Sequence, residues 1–282
     1  MYIFDHIYKT AGTTFNVAYL PGAFEPEKVF VLRGLRDENQ ADLEKFRSLS
    51  EEQIQPLQVI AGHNAGQLRG VLPRNAKFLS LVRHPEARAI SGYLHARLHK
   101  DAFAIIGREI QEQNIGLSQF IEQDLFARRY ADFVSLHDGQ AKVLLGTEDL
   151  SSDSRTDEEI TAAIYSRYHL IGYTEAFEMF VFMLHVTEHF PLVLFSNRLV
   201  RSERRLHITD ADLATIERYS RLDRRVYDCV RKEFDRRVSE IWNPSLAQKY
   251  EEYLAALKEF QDEATRNRFL GSVRLPLVRV NG

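Results

Sequence analysis

The chain contains one cysteine, Cys229, so it can form no internal disulfide. No apolar run approaches the roughly 20 residues needed to span a bilayer, and the first residues lack the basic start and long apolar core of a signal peptide. A reducing, cytoplasmic setting is expected. Basic residues are not in excess either. The 37 lysines and arginines against 40 aspartates and glutamates leave a formal net charge of -3, which excludes the broad positive footprint typical of proteins that bind duplex nucleic acid. Neither nucleic acid nor a membrane is expected as a partner, and any anion binding must be local. No internal repeat or low-complexity linker divides the 282 residues, and 44% hydrophobic content suffices for a sizeable core. We expect one domain over residues 1–282, with a helical C-terminal extension from residue 240 onward.

Short β-rich runs alternate with helical patterns. Lys28 to Leu32, Leu57 to Ala61, Lys77 to Val82, His169 to Tyr173 and Leu192 to Ser196 read as strands, and most are apolar throughout. Such runs between helices predict an α/β fold with a parallel sheet covered by helices on both faces. Ser50-x-x-Gln53, Thr156-x-x-Glu159 and Thr209-x-x-Asp212 fit capping boxes, and Pro85 suits a first helical turn. Residues 101 to 135 read as all-helical, and 209 to 268 as two long helices separated by Asn243-Pro244. On the second of these, Tyr250, Tyr253, Leu254 and Leu257 form an apolar stripe that would cover either its own domain or another subunit.

Two segments carry chemistry. His6-Ile7-Tyr8-Lys9-Thr10-Ala11-Gly12-Thr13-Thr14-Phe15 follows the apolar run Tyr2 to Phe4 and precedes a helix-compatible stretch. An anion-binding loop needs converging backbone N–H groups, a small residue at the close approach, a lysine and hydroxyls. Ala11 and Gly12, Lys9, and Thr10, Thr13 and Thr14 supply these parts. The lysine precedes the glycine, whereas the nucleoside triphosphate loop places it after. The second segment, Lys77 to Tyr93, is a strand ending on Arg83 that turns into a helix at Pro85. Arg83 is thereby placed at the carboxyl end of a strand, where α/β folds bind ligands. Arg88 and Ser91 share a helix face, and a guanidinium with a hydroxyl can hold a phosphate. The alternative is that Arg83 caps the strand and Ser91 is a small packing residue.

Together, His-x-x-Lys-Thr-x-Gly-Thr-Thr-Phe and Leu-Val-Arg-x-Pro-x-x-Arg-Ala-x-Ser-x-Tyr resemble the sulfotransferases, in particular the branch with the heparan sulfate 2-O-sulfotransferases. Ile171 to Glu178 and Asp223 to Asp228 leading to Phe234 follow in the family's order, so the resemblance covers about residues 3 to 240. It implies a P-loop-like sheet and 3′-phosphoadenosine 5′-phosphosulfate (PAPS) as donor substrate, with no metal required. The first motif would cradle the 5′-phosphosulfate, and Arg83 with Ser91 would hold the 3′-phosphate. Similar enzymes fold the loop after the last strand over the nucleotide, which adds Arg201 and Ser202. Tyr8 stands where the family has proline, Ala11 where glycine or serine is common, and His84 where aspartate or asparagine often follows the arginine. Ala11 fits this loop without strain only at negative φ.

Sulfuryl transfer requires in-line positioning, a base for the acceptor hydroxyl and a cation beside the leaving phosphate. Lys9 is the candidate cation. His63 is the candidate base, because the strand running out through Gly62 delivers it to the same edge as Lys9 and Arg83; the resembled enzymes likewise place a catalytic histidine after this strand. His6 is the second candidate, although the family's motif usually has a loop-supporting residue there, and Glu86 is a third. The acceptor is expected to bear a hydroxyl, on a carbohydrate or glycoconjugate, with His95, Arg97 and His99 able to attract an acidic saccharide. Three other readings compete. A P-loop kinase would need a Mg²⁺-binding carboxylate and a lysine after the glycine. A zinc hydrolase would use His185-x-x-Glu188-His189. A binding protein could retain the nucleotide site without turnover.

Overall fold

A computed structural model of the protein describes residues 1–34, 37–98, 104–130, 134–147, 149–150, 153–196 and 206–266. Its sheet has five strands: β1 (Tyr2–Asp5), β2 (Val29–Leu32), β3 (Val59–Gly62), β4 (Lys77–Val82) and β5 (Leu170–Tyr173). Their spatial order is β2-β3-β1-β4-β5 and every pairing is parallel. β1 is central, with Phe4 opposite Ala61 on one side and Leu79 on the other. Alternating side chains feed two cores. Ile3, Ile60, Phe78 and Val82 belong to one, and Phe4, Ala61, Leu79 and Leu81 to the other. Both faces are therefore covered, as the uninterrupted apolar strands require.

The helices are α1 (Leu20–Ala23), α2 (Asp37–Arg47), α3 (Glu51–Ile54), α4 (Pro85–Leu98), α5 (Ala104–Glu112), α6 (Leu117–Glu122), α7 (Leu125–Arg129), α8 (Gly139–Leu145), α9 (Asp157–Tyr165), α10 (Phe177–Glu188), α11 (Asp210–Tyr219), α12 (Arg221–Ile241) and α13 (Pro244–Arg266). Leu43, Phe46 and Ile164 from α2 and α9 cover the first face. Phe180, Leu184, Tyr253 and Leu257 from α10 and α13 cover the second, so the Tyr253–Leu257 stripe packs on its own chain. α12 packs against β5 and serves both cores, Val226 and Val230 in one and Phe234 in the other. Residues of α4 to α7 form a third core with Ile216 of α11. All three capping boxes are present, each with its reciprocal pair of bonds.

Two expectations are corrected. Leu192 to Ser196 joins no strand; Leu192 and Phe195 are buried in the second core, so the run is apolar because helices cover it. The stretch after Thr209 holds three helices, because the chain breaks at Ser220. The Ser220 hydroxyl donates to the Ile216 carbonyl (2.6 Å), and the Asp223 N–H donates to Asp138 Oδ1 (2.8 Å).

The chain leaves β1 toward β2 and leaves β4 toward β5, in opposite directions along the sheet. A crevice opens where neighbouring strands diverge in this way, outside their carboxyl ends. Among the described residues, no helix is long and apolar enough to cross a membrane.

Candidate active site

The loop after β1 occupies that crevice. The His6 N–H donates to the Gly62 carbonyl (3.0 Å), fastening the loop to the end of β3. Thr10 is fully buried and its hydroxyl donates to the Ile7 carbonyl (2.8 Å), so this hydroxyl serves the loop's own backbone rather than a ligand. Thr13 is exposed at the start of the helical segment Thr14–Tyr19, while Thr14 is buried beneath it. The Phe15 N–H closes the first turn on the Ala11 carbonyl (3.2 Å).

Lys9 and Ala11 both adopt left-handed backbone, with φ of 67° and 65°. Left-handed residues alternating with others turn successive N–H groups to one side, making a concavity suited to an anion. The negative φ expected at Ala11 is thereby corrected. An L-residue pays roughly 1–2 kcal/mol in this region. Ala11→Gly should raise the unfolding free energy by about 1 kcal/mol, read as a melting temperature about 2–4 °C higher.

Arg83 follows β4, and its backbone is held on both sides by Gln140. The Arg83 N–H donates to Gln140 Oε1 (2.8 Å), and Gln140 Nε2 donates to the Arg83 carbonyl (2.9 Å). Arg83 Nη1 reaches the Lys9 carbonyl at 3.4 Å, while Nε is buried with no hydrogen-bond partner. Burial lowers the guanidinium pKa from its usual value, against the opposing pull of Glu175. A buried donor without a partner beside an N–H concavity is what an anion would satisfy.

Arg88, read from the sequence as sharing a phosphate with Ser91, has another role. It is 1% exposed, and its Nε donates to the Tyr8 carbonyl (3.0 Å), Nη2 to the Ser135 carbonyl (2.7 Å) and Nη1 to Asp223 Oδ2 (3.2 Å). It shapes the loop from behind. Ser91 is half-buried on α4. Glu86 accepts from Arg224 Nη2 (2.9 Å), which ties up the third candidate base. On the same helix the His95 ring lies 6.4 Å from that of Tyr8, and Arg97 is exposed. Arg201, Ser202 and His99 lie outside the described residues.

His63 follows β3 directly. Its Nδ1 bonds the His6 carbonyl (2.7 Å); a carbonyl only accepts, so Nδ1 carries the proton and Nε2 the lone pair. Asn39 of α2 donates to the His63 carbonyl (2.9 Å), and Asn64, in left-handed backbone at φ 60°, donates to Asn39 (3.0 Å). Burial, with Lys9 adding to it and the His6 carbonyl opposing, pushes the His63 imidazole down to about 4. The ring is a neutral base well below neutral pH.

His185-x-x-Glu188-His189 does not converge. Glu188 accepts from Tyr2 (2.8 Å), Lys77 (2.6 Å) and His169 (2.6 Å), His185 Nδ1 donates to the Phe190 carbonyl (2.8 Å), and His189 is a left-handed helix cap. A cavity of about 320 Å³ lies here, lined by Phe182, His185, Val186, His189, Leu192, Leu246 and Lys249, none of them from the loop.

Gln140, Asn39 and Asp223 organise the site, and only Asp223 lay in a segment that the motifs singled out. No protein-family model matches the chain, and no curated protein matches it in sequence.

Proposed function

We propose that the protein is a sulfotransferase that moves the sulfuryl group of PAPS to a hydroxyl of a carbohydrate or glycoconjugate in the cytoplasm. The observation that carries this reading is the meeting of Lys9, the left-handed loop and the partnerless Nε of Arg83 in the crevice between β1 and β4, with His63 entering from β3. The loop N–H groups and Lys9 would hold the 5′-phosphosulfate, and Arg83 with Ser91 the 3′-phosphate. Nε2 of His63 takes the acceptor proton as the acceptor oxygen bonds to sulfur. The bond from sulfur to the 5′-phosphate oxygen breaks, and the charge gained by adenosine 3′,5′-bisphosphate is offset by Lys9. His95, whose ring lies 6.4 Å from that of Tyr8, and the exposed Arg97 on the same helix would meet an acidic saccharide.

Calorimetric titration without metal tests the donor site. Adenosine 3′,5′-bisphosphate should bind more tightly than ADP, and Lys9→Ala and Arg83→Ala should each weaken it at least about tenfold, the size of a lost charge-assisted hydrogen bond. Wild-type affinity in both variants would remove the assignment. A preference for a nucleoside triphosphate with Mg²⁺ would favour the kinase reading instead.

A further inference from the structure

His6 lies between the two parts of the proposed site. Its ring stacks on that of His63, with centroids 4.0 Å apart and planes 19° from parallel. Its carbonyl accepts from His63 Nδ1 (2.7 Å), and its N–H donates to Gly62, the residue just before His63 (3.0 Å). The ring also rests on Gly12, where an added Cβ would lie 1.9 Å from Cδ2 and 2.2 Å from Nε2 of His6. Gly12 has no positive φ. The glycine is therefore required for the space that the His6 ring takes.

We propose that His6 is a positioning residue that clamps His63 against the anion loop, so that the base and the donor cradle move as one body. The inference rests on the reading of His63 as the base. Three contacts fix the His63 ring: the stack sets its plane, the His6 carbonyl selects its tautomer, and the bond to Gly62 fixes the strand end that carries it. Groups near His63 include the ring of His6, the charge of Lys9 and the Tyr8 ring at 6.2 Å from the loop, and Asn39 of α2, which holds the His63 carbonyl. Burial, with the charges of His63 and Lys9, holds His6 well below the usual imidazole range, so the stack is a contact between two neutral rings.

The test reads His63 by NMR in the ligand-free full chain, its ring signals assigned by their loss in His63→Gln. Wild type should show the Nδ1–H tautomer and titrate near the low value that burial sets. In His6→Ala the ring loses its stacking partner and gains water, and its proton affinity should rise about tenfold or more. His6→Phe restores an aromatic face and should recover most of that change. Gly12→Ala displaces the His6 ring from the loop side and should also shift the His63 titration, although it touches His63 nowhere. An unchanged His63 titration in folded His6→Ala or Gly12→Ala would overturn the clamp. Should Gly12→Ala not fold, His6→Ala against His6→Phe decides. Titration of wild type with adenosine 3′,5′-bisphosphate separates the two proposals, since absent binding would remove the donor site and leave the clamp measurable.

Discussion

His63→Ala should lower turnover by about 100-fold or more, the size of a lost general base, while adenosine 3′,5′-bisphosphate affinity stays within about threefold of wild type. The contrast follows from where the groups sit. His63 leaves β3, and the groups proposed to hold the donor lie on the loop after β1 and at the end of β4. Removing the imidazole takes away the lone pair that accepts the proton and leaves Lys9, the loop N–H groups and Arg83 in place. The pH profile sharpens the expectation. In the ligand-free protein the imidazole sits at about 4, so under the proposed function kcat/KM for the donor should hold through pH 5 and fall only below about pH 4. Bound donor places negative charge beside Lys9, which favours the imidazolium, and the acid limb of kcat should therefore lie at higher pH. The assay follows release of adenosine 3′,5′-bisphosphate with the saccharide acceptor found by screening. Turnover undiminished in His63→Ala would transfer the role of base to another group.

Much of this architecture was legible in the sequence because its signals are local. Val59-Ile60-Ala61 and Phe78-Leu79-Ser80-Leu81-Val82 are largely apolar on both alternating faces, as strands of a two-sided sheet are, and capping boxes announce helices within four residues. Leu192 to Ser196 carries the same apolar signal and is no strand, since periodicity over five residues cannot distinguish pairing from cover by helices. The placement of Lys9, Gly12, Arg83 and His63 at one edge of the sheet was legible because they follow the strands that deliver them there. The roles of Thr10 and Arg88 were not. Each has a side chain suited to an anion and turns it instead to a backbone carbonyl, Thr10 to Ile7, three residues back, and Arg88 to Tyr8, 80 residues away. Gln140 gave no signal, because its clamp on Arg83 joins residues 57 apart. Ala11 gave none either. Its left-handed φ is a conformation that suits glycine, and nothing in the sequence around an alanine reveals it.

Asp223→Ala should produce the largest loss of stability, about 3–5 kcal/mol, because it strands the Arg88 guanidinium in a site with almost no water. Asp223 and Arg88 are 0% and 1% exposed. Burial pushes the Asp223 carboxyl up to about 6 even with Arg88 alongside, so desolvation outweighs the attraction between the charges. Satisfied hydrogen bonds stabilise the arrangement: Asp223 Oδ1 accepts from the Ala141 N–H (2.8 Å), and Arg88 donates to the carbonyls of Tyr8 and Ser135. A double-mutant cycle separates the two contributions. Arg88→Met combined with Asp223→Leu removes both charges and should cost less than the sum of the single changes. It should still cost something, because the Tyr8 and Ser135 carbonyls and the Ala141 N–H lose their partners. Thermal unfolding of the single variant should show a melting temperature lower by on the order of 10 °C. The pair also reaches the proposed function. Arg88 holds the Tyr8 carbonyl, directly before Lys9, so Asp223→Ala should weaken adenosine 3′,5′-bisphosphate binding from α12, behind the loop. Full stability in Asp223→Ala would mean that Arg88 finds another counter-charge. Full affinity in a folded but destabilised variant would mean that the loop keeps its shape without the pair.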